Sequence, residues 1–474
     1  MLLASCAGNH SASLPSTQPA RQVAPQSISS ITVSGPIVAV INSTEFEIQA
    51  GTGCGYLHIF TNSSTVFSPS GARPAVGMNA QVTGTGSCAT SVTATQVVLS
   101  SDAPKHVITG AFLFSNDGVT SHGRPFSAYA STLTWAETYA GTNAAATGIK
   151  TIFYTNPNRT EQGDALYTTD ESTFAHTCSG ARIVQPGSSP TIYLMNPNSS
   201  DLVNLYKSYV GKELSQQRFD AIFDDEPYDW YAVSAMPCNY VASTWLNAYL
   251  NEMKALGHPV FYNGLGNFGA NFAISPTIQL NPGAIGGMGE GCYSAHWSPQ
   301  LAYGPYWTAY ENTEIAMARQ GKIFICYSND LASASSAIAA RIYTYASFLL
   351  TYDLRTSMIW EYFATASGYT VEPESQLVAQ SPLVATPSTV SSLQTSTGAY
   401  GRRYNACYVA AKSVGACAVV VNPDKSNSHA FPYTGYHHTL LLTGGGILDG
   451  GTISAAGTAP PSSLPPLTAV IAFQ

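Results

Sequence analysis

Charged side chains are scarce in this chain: Asp, Glu, Lys and Arg make up only 10% of its 474 residues, with 19 basic against 27 acidic. A net charge of −8 leaves no basic stripe to track a nucleic-acid backbone, so a nucleic-acid partner is not expected. No apolar run is long enough to span a bilayer. CxxC, HExxH and His-x-His are all missing, which argues against zinc and dithiol redox chemistry. No GxGxxG opens a helix after the first strand-like segment, so a dinucleotide fold has no support, and no GxSxG supplies a serine-hydrolase elbow.

What is present is the hydrophobic fraction of a folded protein, 45%, at a length that implies two or three domains. The start carries a specific signal, because Leu3-Ala4-Ser5-Cys6 resembles the bacterial lipobox. The basic and longer apolar parts of a signal peptide are not there, so the start reads as clipped or mis-assigned. A polar Ser/Pro/Gln segment follows, as a tether would. The resemblance implies an exported protein of the bacterial cell envelope, periplasm or exterior, with a lipid anchor at Cys6 as its link to the membrane. Setting Cys6 aside, the eight remaining cysteines are an even, scattered set that suits disulfides. Pairing within segments gives Cys54–Cys88, Cys178–Cys238, Cys292–Cys326 and Cys407–Cys417, although spacing alone does not fix it.

Four regions follow from pattern. Residues 1–30 form the lipobox and tether. Residues 31–104 alternate apolar and polar positions around short turns and read as a small β-barrel-like domain. Residues 105–384 alternate strand-like and helix-like stretches, with strands expected at 106–114, 149–155, 190–196, 219–225, 259–264, 284–290, 322–328 and 357–363. Eight such strands with helices between several of them predict an α/β fold, a (β/α)8 barrel. Among the helices, STWLNAYLNEMKALG places Trp245, Leu246, Tyr249, Leu250 and Met253 on one face, with Gly257 past its end. Residues 385–474 read as a C-terminal antiparallel β-domain.

The densest chemistry lies in Phe219 to Trp230, where an apolar run ends in Asp224-Asp225-Glu226. Carboxylates at the carboxyl end of a buried strand are where a β/α barrel keeps its active site. The other strand ends offer Tyr154, Tyr262 and Asn263, then Glu290 and Tyr293, then Tyr327 and Asp330, and finally Trp360 and Glu361. Trp297 follows the sixth strand. A rim of acids, amides and rings suits a neutral or amino sugar better than a phosphate. Glycoside cleavage needs one acid to protonate the leaving oxygen and a second to attack the anomeric carbon or activate water. Asp225 and Glu290 would face each other across the mouth. Asp224, Glu226 and Glu361 stand as alternative catalytic acids. The plain readings are an acidic helix cap or calcium loop at 224–226, a rim glutamate at 290, and tryptophans that belong to the core.

Phe219 to Asp225 resembles the FDG-hydrophobic-F-x-D strand of bacterial glycoside-hydrolase-like TIM barrels, which include the endo-α-1,4-polygalactosaminidase group. Asp220 and Ala221 then fall on the Asp-Gly pair, Asp225 on the catalytic aspartate, and Glu290 on the second carboxylate. The departures are Ala221 in place of glycine and the doubled aspartate. The resemblance implies a glycoside hydrolase acting on a polysaccharide or oligosaccharide through two carboxylates, with no metal and no organic cofactor. The alternative is a glycan-binding or surface-assembly protein on the same scaffold.

Overall fold

Eight parallel strands close into a barrel, and in chain order they are also neighbours in space. They are β1 (Ile108–Phe112), β2 (Trp135–Glu137), β3 (Lys150–Thr155), β4 (Ala221–Asp224), β5 (Val260–Tyr262), β6 (Ala284–Glu290), β7 (Ile323–Tyr327) and β8 (Ser357–Glu361). The ring closes where Met358 to Glu361 lie beside Ile108 to Ala111. The computed structural model describes residues 30–50, 55–68, 70, 73–74, 78–87, 90–100, 105–113, 124–225, 234–265, 284–295, 298–328, 335–361, 364–365, 368–369, 371–384 and 387–474. The chain divides into two compact units, Met1–Pro74 with Asn79–Ser100, and Ala75–Met78 with Ser101–Gln474.

Strand alternation sorts the barrel side chains into two layers. Ala221 and Phe223 of β4 point inward with Trp135, Ile152, Phe261, Met288, Ile325, Tyr327, Met358 and Trp360, filling the barrel as a packed core. Ile222 points outward with Phe153, Val260 and Tyr262, and these meet Tyr206 and Val210 of α2 (Ser200–Gln216). The short α1 (Gly141–Ala145) precedes it, and α3 (Ala242–Lys254), α4 (Gly304–Arg319) and α5 (Ser335–Thr351) follow.

One expected strand is corrected. Ile192–Leu194, read as the third barrel strand, instead pairs antiparallel with Arg159–Glu161 outside the barrel. Its composition is strand-like, but two of its three residues are only half-buried. Its place in the ring belongs to β2, whose three residues are all buried and show neither length nor alternation. The segment at 149–155 is therefore the third strand of the barrel, and the total of eight stands.

The first unit contains an antiparallel sheet of Gly55–Phe60, Glu45–Ala50, Ser30–Asn42, Asn79–Gly86 and Ser91–Ser100, whose outer strands also pair in parallel and close the ring. Ile37, Phe46, Ile48, Leu57, Ile59, Val82, Val92 and Val97 fill it. In the second unit a C-terminal sheet orders Leu377–Pro382, Tyr400–Val409, Lys412–Asn422, Thr468–Phe473 and His438–Thr439, all antiparallel. Tyr345, Phe348 and Leu349 of α5 share a core with Val419, Val421, Ile471 and Phe473 of that sheet. Cys178–Cys238, Cys292–Cys326 and Cys407–Cys417 are bonded as expected. Cys54 and Cys88 lie outside the described residues.

Candidate active site

Asp225 directly follows β4, its backbone N–H donating to the Thr155 carbonyl at 2.9 Å. It continues the inward face of Ala221 and Phe223, so its carboxylate stands at the carboxyl-end mouth. The Tyr154 hydroxyl of β3 donates to Oδ2 at 2.7 Å. From the end of β5, Asn263 Nδ2 donates to Oδ1 at 2.7 Å and also reaches Glu290 Oε2 at 3.0 Å. The orientation of that amide is fixed from its other side, since Asn263 Oδ1 accepts the Gly264 N–H at 2.7 Å. The two acids, two strands apart in the ring, are thus joined through a single nitrogen.

Glu290 ends the glycine-rich β6. At Gly289 a Cβ would lie 2.6 Å from the Tyr310 ring, so only glycine lets β6 pack this closely on α4. Gly291 turns the chain with φ +74°. The N–H groups of Gly291 and Cys292 both donate to the Tyr327 carbonyl of β7, at 2.8 and 3.0 Å, and the Cys292–Cys326 disulfide ties the same two strands. Burial pushes the Glu290 carboxyl above the usual range; the Asn263 bond opposes this and the Asp225 charge adds to it. Glu290 therefore keeps a proton further toward neutral pH than a free glutamate.

The remaining candidates separate cleanly. Tyr154 and Asn263 belong to the acid pair. Tyr327 and Trp360 point inward and pack on Phe112 with ring centroids 5.4 and 5.1 Å apart, as the wall below the mouth and not as open platforms. Tyr262 is corrected: it lies in the outer layer against α2. Tyr293 is also corrected, being fully buried in the core that runs behind β6 and into the C-terminal sheet. Asp224, the nearest rival acid, is fully buried, and its charge, after burial itself, raises the hydroxyls of Tyr206 and Tyr262 in that outer layer. It is not at the mouth. Glu226, Trp297 and Asp330 lie outside the described residues, as does the side chain of Glu361, whose backbone pairs with Ala111.

One acid was missed by the sequence reading. Glu137 ends β2, two residues after the inward-facing Trp135, and is fully buried. Burial, then the charge of Asp225, pushes its carboxyl well above the usual range. A strand of three residues gave no signal to find it by. Among the described residues, no group of three or more His, Cys, Asp and Glu side chains is placed to hold a metal ion, and no helix is long and apolar enough to cross a membrane.

Fold and site together define a (β/α)8 barrel with an amide-bridged acid pair at its carboxyl end. No family model and no curated protein matches the chain. Similar solved structures include a Paenibacillus sp. cycloisomaltooligosaccharide glucanotransferase complexed with cycloisomaltoheptaose, at 12% identity and a TM-score of 0.37 over 94% of this chain. The alignment spans 65% of that enzyme, just under two thirds of its length. Pullulanase from Bacillus acidopullulyticus aligns at 9% identity and a TM-score of 0.40, over 94% of this chain and 74% of that one. Aspergillus fumigatus Ega3, in complex with galactosamine, aligns at 12% identity and a TM-score of 0.32, over 55% of this chain and 93% of that one. Likenesses this distant carry no weight for activity, which rests on the side chains themselves.

Proposed function

We propose that this protein is an exported glycoside hydrolase that cleaves a polysaccharide or surface glycan with retention of configuration. One observation carries the reading: Asn263 Nδ2 donates to both Asp225 and Glu290. Two bonds from one nitrogen, 2.7 and 3.0 Å long, hold an oxygen of each acid within about 6 Å of the other, which favours the closer spacing of a retaining pair. Glu290, buried and inclined to hold its proton, donates it to the glycosidic oxygen. Asp225, with donors from Tyr154 and Asn263 on its carboxylate, attacks the anomeric carbon. The alcohol departs, Glu290 then takes a proton from water, and that water cleaves the glycosyl–Asp225 ester.

The disulfides support export, and Leu3-Ala4-Ser5-Cys6 supports lipid attachment at Cys6. The strand motif makes poly-α-1,4-galactosamine the first substrate to test, beside a panel of neutral polysaccharides. Mass spectrometry should show released oligosaccharides, and NMR of the new reducing ends should show the starting anomeric configuration first. D225N and E290Q should each lower the rate by about 10³-fold while melting as the wild type does. Hydrolysis at the wild-type rate in either variant would reject the pair as the catalytic acids. Binding without cleavage across the panel would favour a glycan-binding protein instead.

A further inference from the structure

Glu137 has no ordinary structural explanation. It is the last residue of β2, in register with Phe112 of β1 and Ile152 of β3, and therefore sits at the end of the barrel where the acid pair lies. It is fully buried, and among the described residues neither carboxyl oxygen has a hydrogen-bond partner. Native proteins rarely leave a buried polar group in that state, because it costs stability that an apolar residue of the same size would not. Glu137 contrasts with acids bonded through at least one oxygen: Glu374 is bonded by Arg341, and Glu311 and Glu314 each meet the Thr351 hydroxyl through Oε2. Glu252 is also bare, but it sits on α3, outside the barrel.

We propose that Glu137 is a positioning residue of this site, a neutral third acid whose O–H donates to the Asp225 carboxylate in the reacting complex. The inference rests on the glycosidase reading of the Asp225–Glu290 pair. Two neighbouring carboxyls in a dry barrel cannot both be ionised at low cost. Asp225 takes the charge, because it is partly exposed and already accepts from Tyr154 and Asn263. Glu137 is fully buried and has no donor among the described residues, so it keeps the proton; burial and then Asp225 push it in that direction. Its own charge is felt in turn by Tyr139, two residues on, whose hydroxyl is raised by burial, then by Glu137 and Asp164. Catalytic hydrogen bonds are often open in the ligand-free enzyme and tighten around the substrate. An unbonded acid beside an anionic nucleophile is what such a contact looks like before it closes. Its service would be to fix which lone pair of Asp225 faces the anomeric carbon.

Two substitutions separate this from a structural role. E137Q keeps the shape and a donor without any charge; E137L keeps the volume and removes both. Without substrate, the infrared difference between wild type and E137Q at neutral pH should show one protonated carboxyl band lost. That band should shift in frequency in D225N. Loss of only an ionised-carboxylate band, or a band indifferent to D225N, would overturn the proposal. E137L should melt at or above the wild-type temperature, whereas an acid with a structural role would leave it less stable. On poly-α-1,4-galactosamine, E137Q should keep kcat within about threefold and E137L should lose about 30-fold in kcat with KM little changed. Wild-type kcat in E137L, or E137Q as slow as E137L, would also overturn it. If the wild-type enzyme leaves that polymer intact, the glycosidase reading bears the failure, and the infrared bands still decide the Glu137–Asp225 pairing.

Discussion

At the scale of single residues the site turns on Asn263, a neutral side chain between two acids. Its nitrogen donates to both Asp225 and Glu290, and its oxygen is held by Gly264, which fixes the orientation of the amide. N263A should lower kcat/KM by about 100-fold, and because the Asn263 bond holds the Glu290 carboxyl down, the alkaline limb of the pH profile should move upward. Y154F removes one donor from Asp225 and should cost about tenfold in kcat/KM. Both effects are read from steady-state rates against pH. Asp225 and Glu290 were legible in the sequence because each ends an apolar or glycine-rich strand in an acid. Tyr262 was misplaced because it is one residue from Asn263, and in a strand one residue means the opposite face. Nothing local told which of the two faced in.

At the scale of elements, long strands announced themselves and the shortest did not. β3, β6 and β7 carry runs of Ile, Phe, Tyr or glycine bounded by turns, while Trp-Ala-Glu in β2 is recognisable only once β1 and β3 flank it. The same element hid Glu137. β6 shows how packing positions its acid. G289A would set a methyl 2.6 Å from the Tyr310 ring, so it should shift the strand end, lower kcat and reduce the melting temperature together. The Cys292–Cys326 bond closes 34 residues of chain, and chain entropy alone puts its removal in C292S/C326S at about 4 kcal/mol, measurable by urea unfolding.

At the scale of the whole molecule, the unusual property is how many acids are buried with their protons. Burial pushes Glu252 and Glu314 up to about 8 from an ordinary 4.5, and raises Glu137 and Glu311 well above it. The folded state therefore binds these protons more tightly than the unfolded chain. That stabilisation is fully present below the unfolded value and is lost as pH rises through the folded ones. The melting temperature should fall from pH 6 to pH 9, and scanning calorimetry across that range checks it. No sequence pattern gave these acids away, because their state depends on tertiary closure: the barrel interior for Glu137, and the packing of α4 on α5 for Glu311 and Glu314. Seven of the eight barrel strands and the antiparallel tail were legible as local runs, and the count of eight held because the segment misread at 190–196 stood in for β2.

The Cys292–Cys326 bond has one more consequence. Both cysteines are wholly buried, two residues past Glu290 and one before the end of β7, so no reductant or oxidant reaches them in the finished barrel. The bond must form while the chain is still open, which makes oxidation an early event in maturation. A chain completed under reducing conditions would close with its proton donor untethered, and later exposure to oxygen would not repair it. On the glycosidase reading, hydrolysis would then begin only where thiols are oxidised as the chain folds, and the cell that synthesises the protein would be spared it until then.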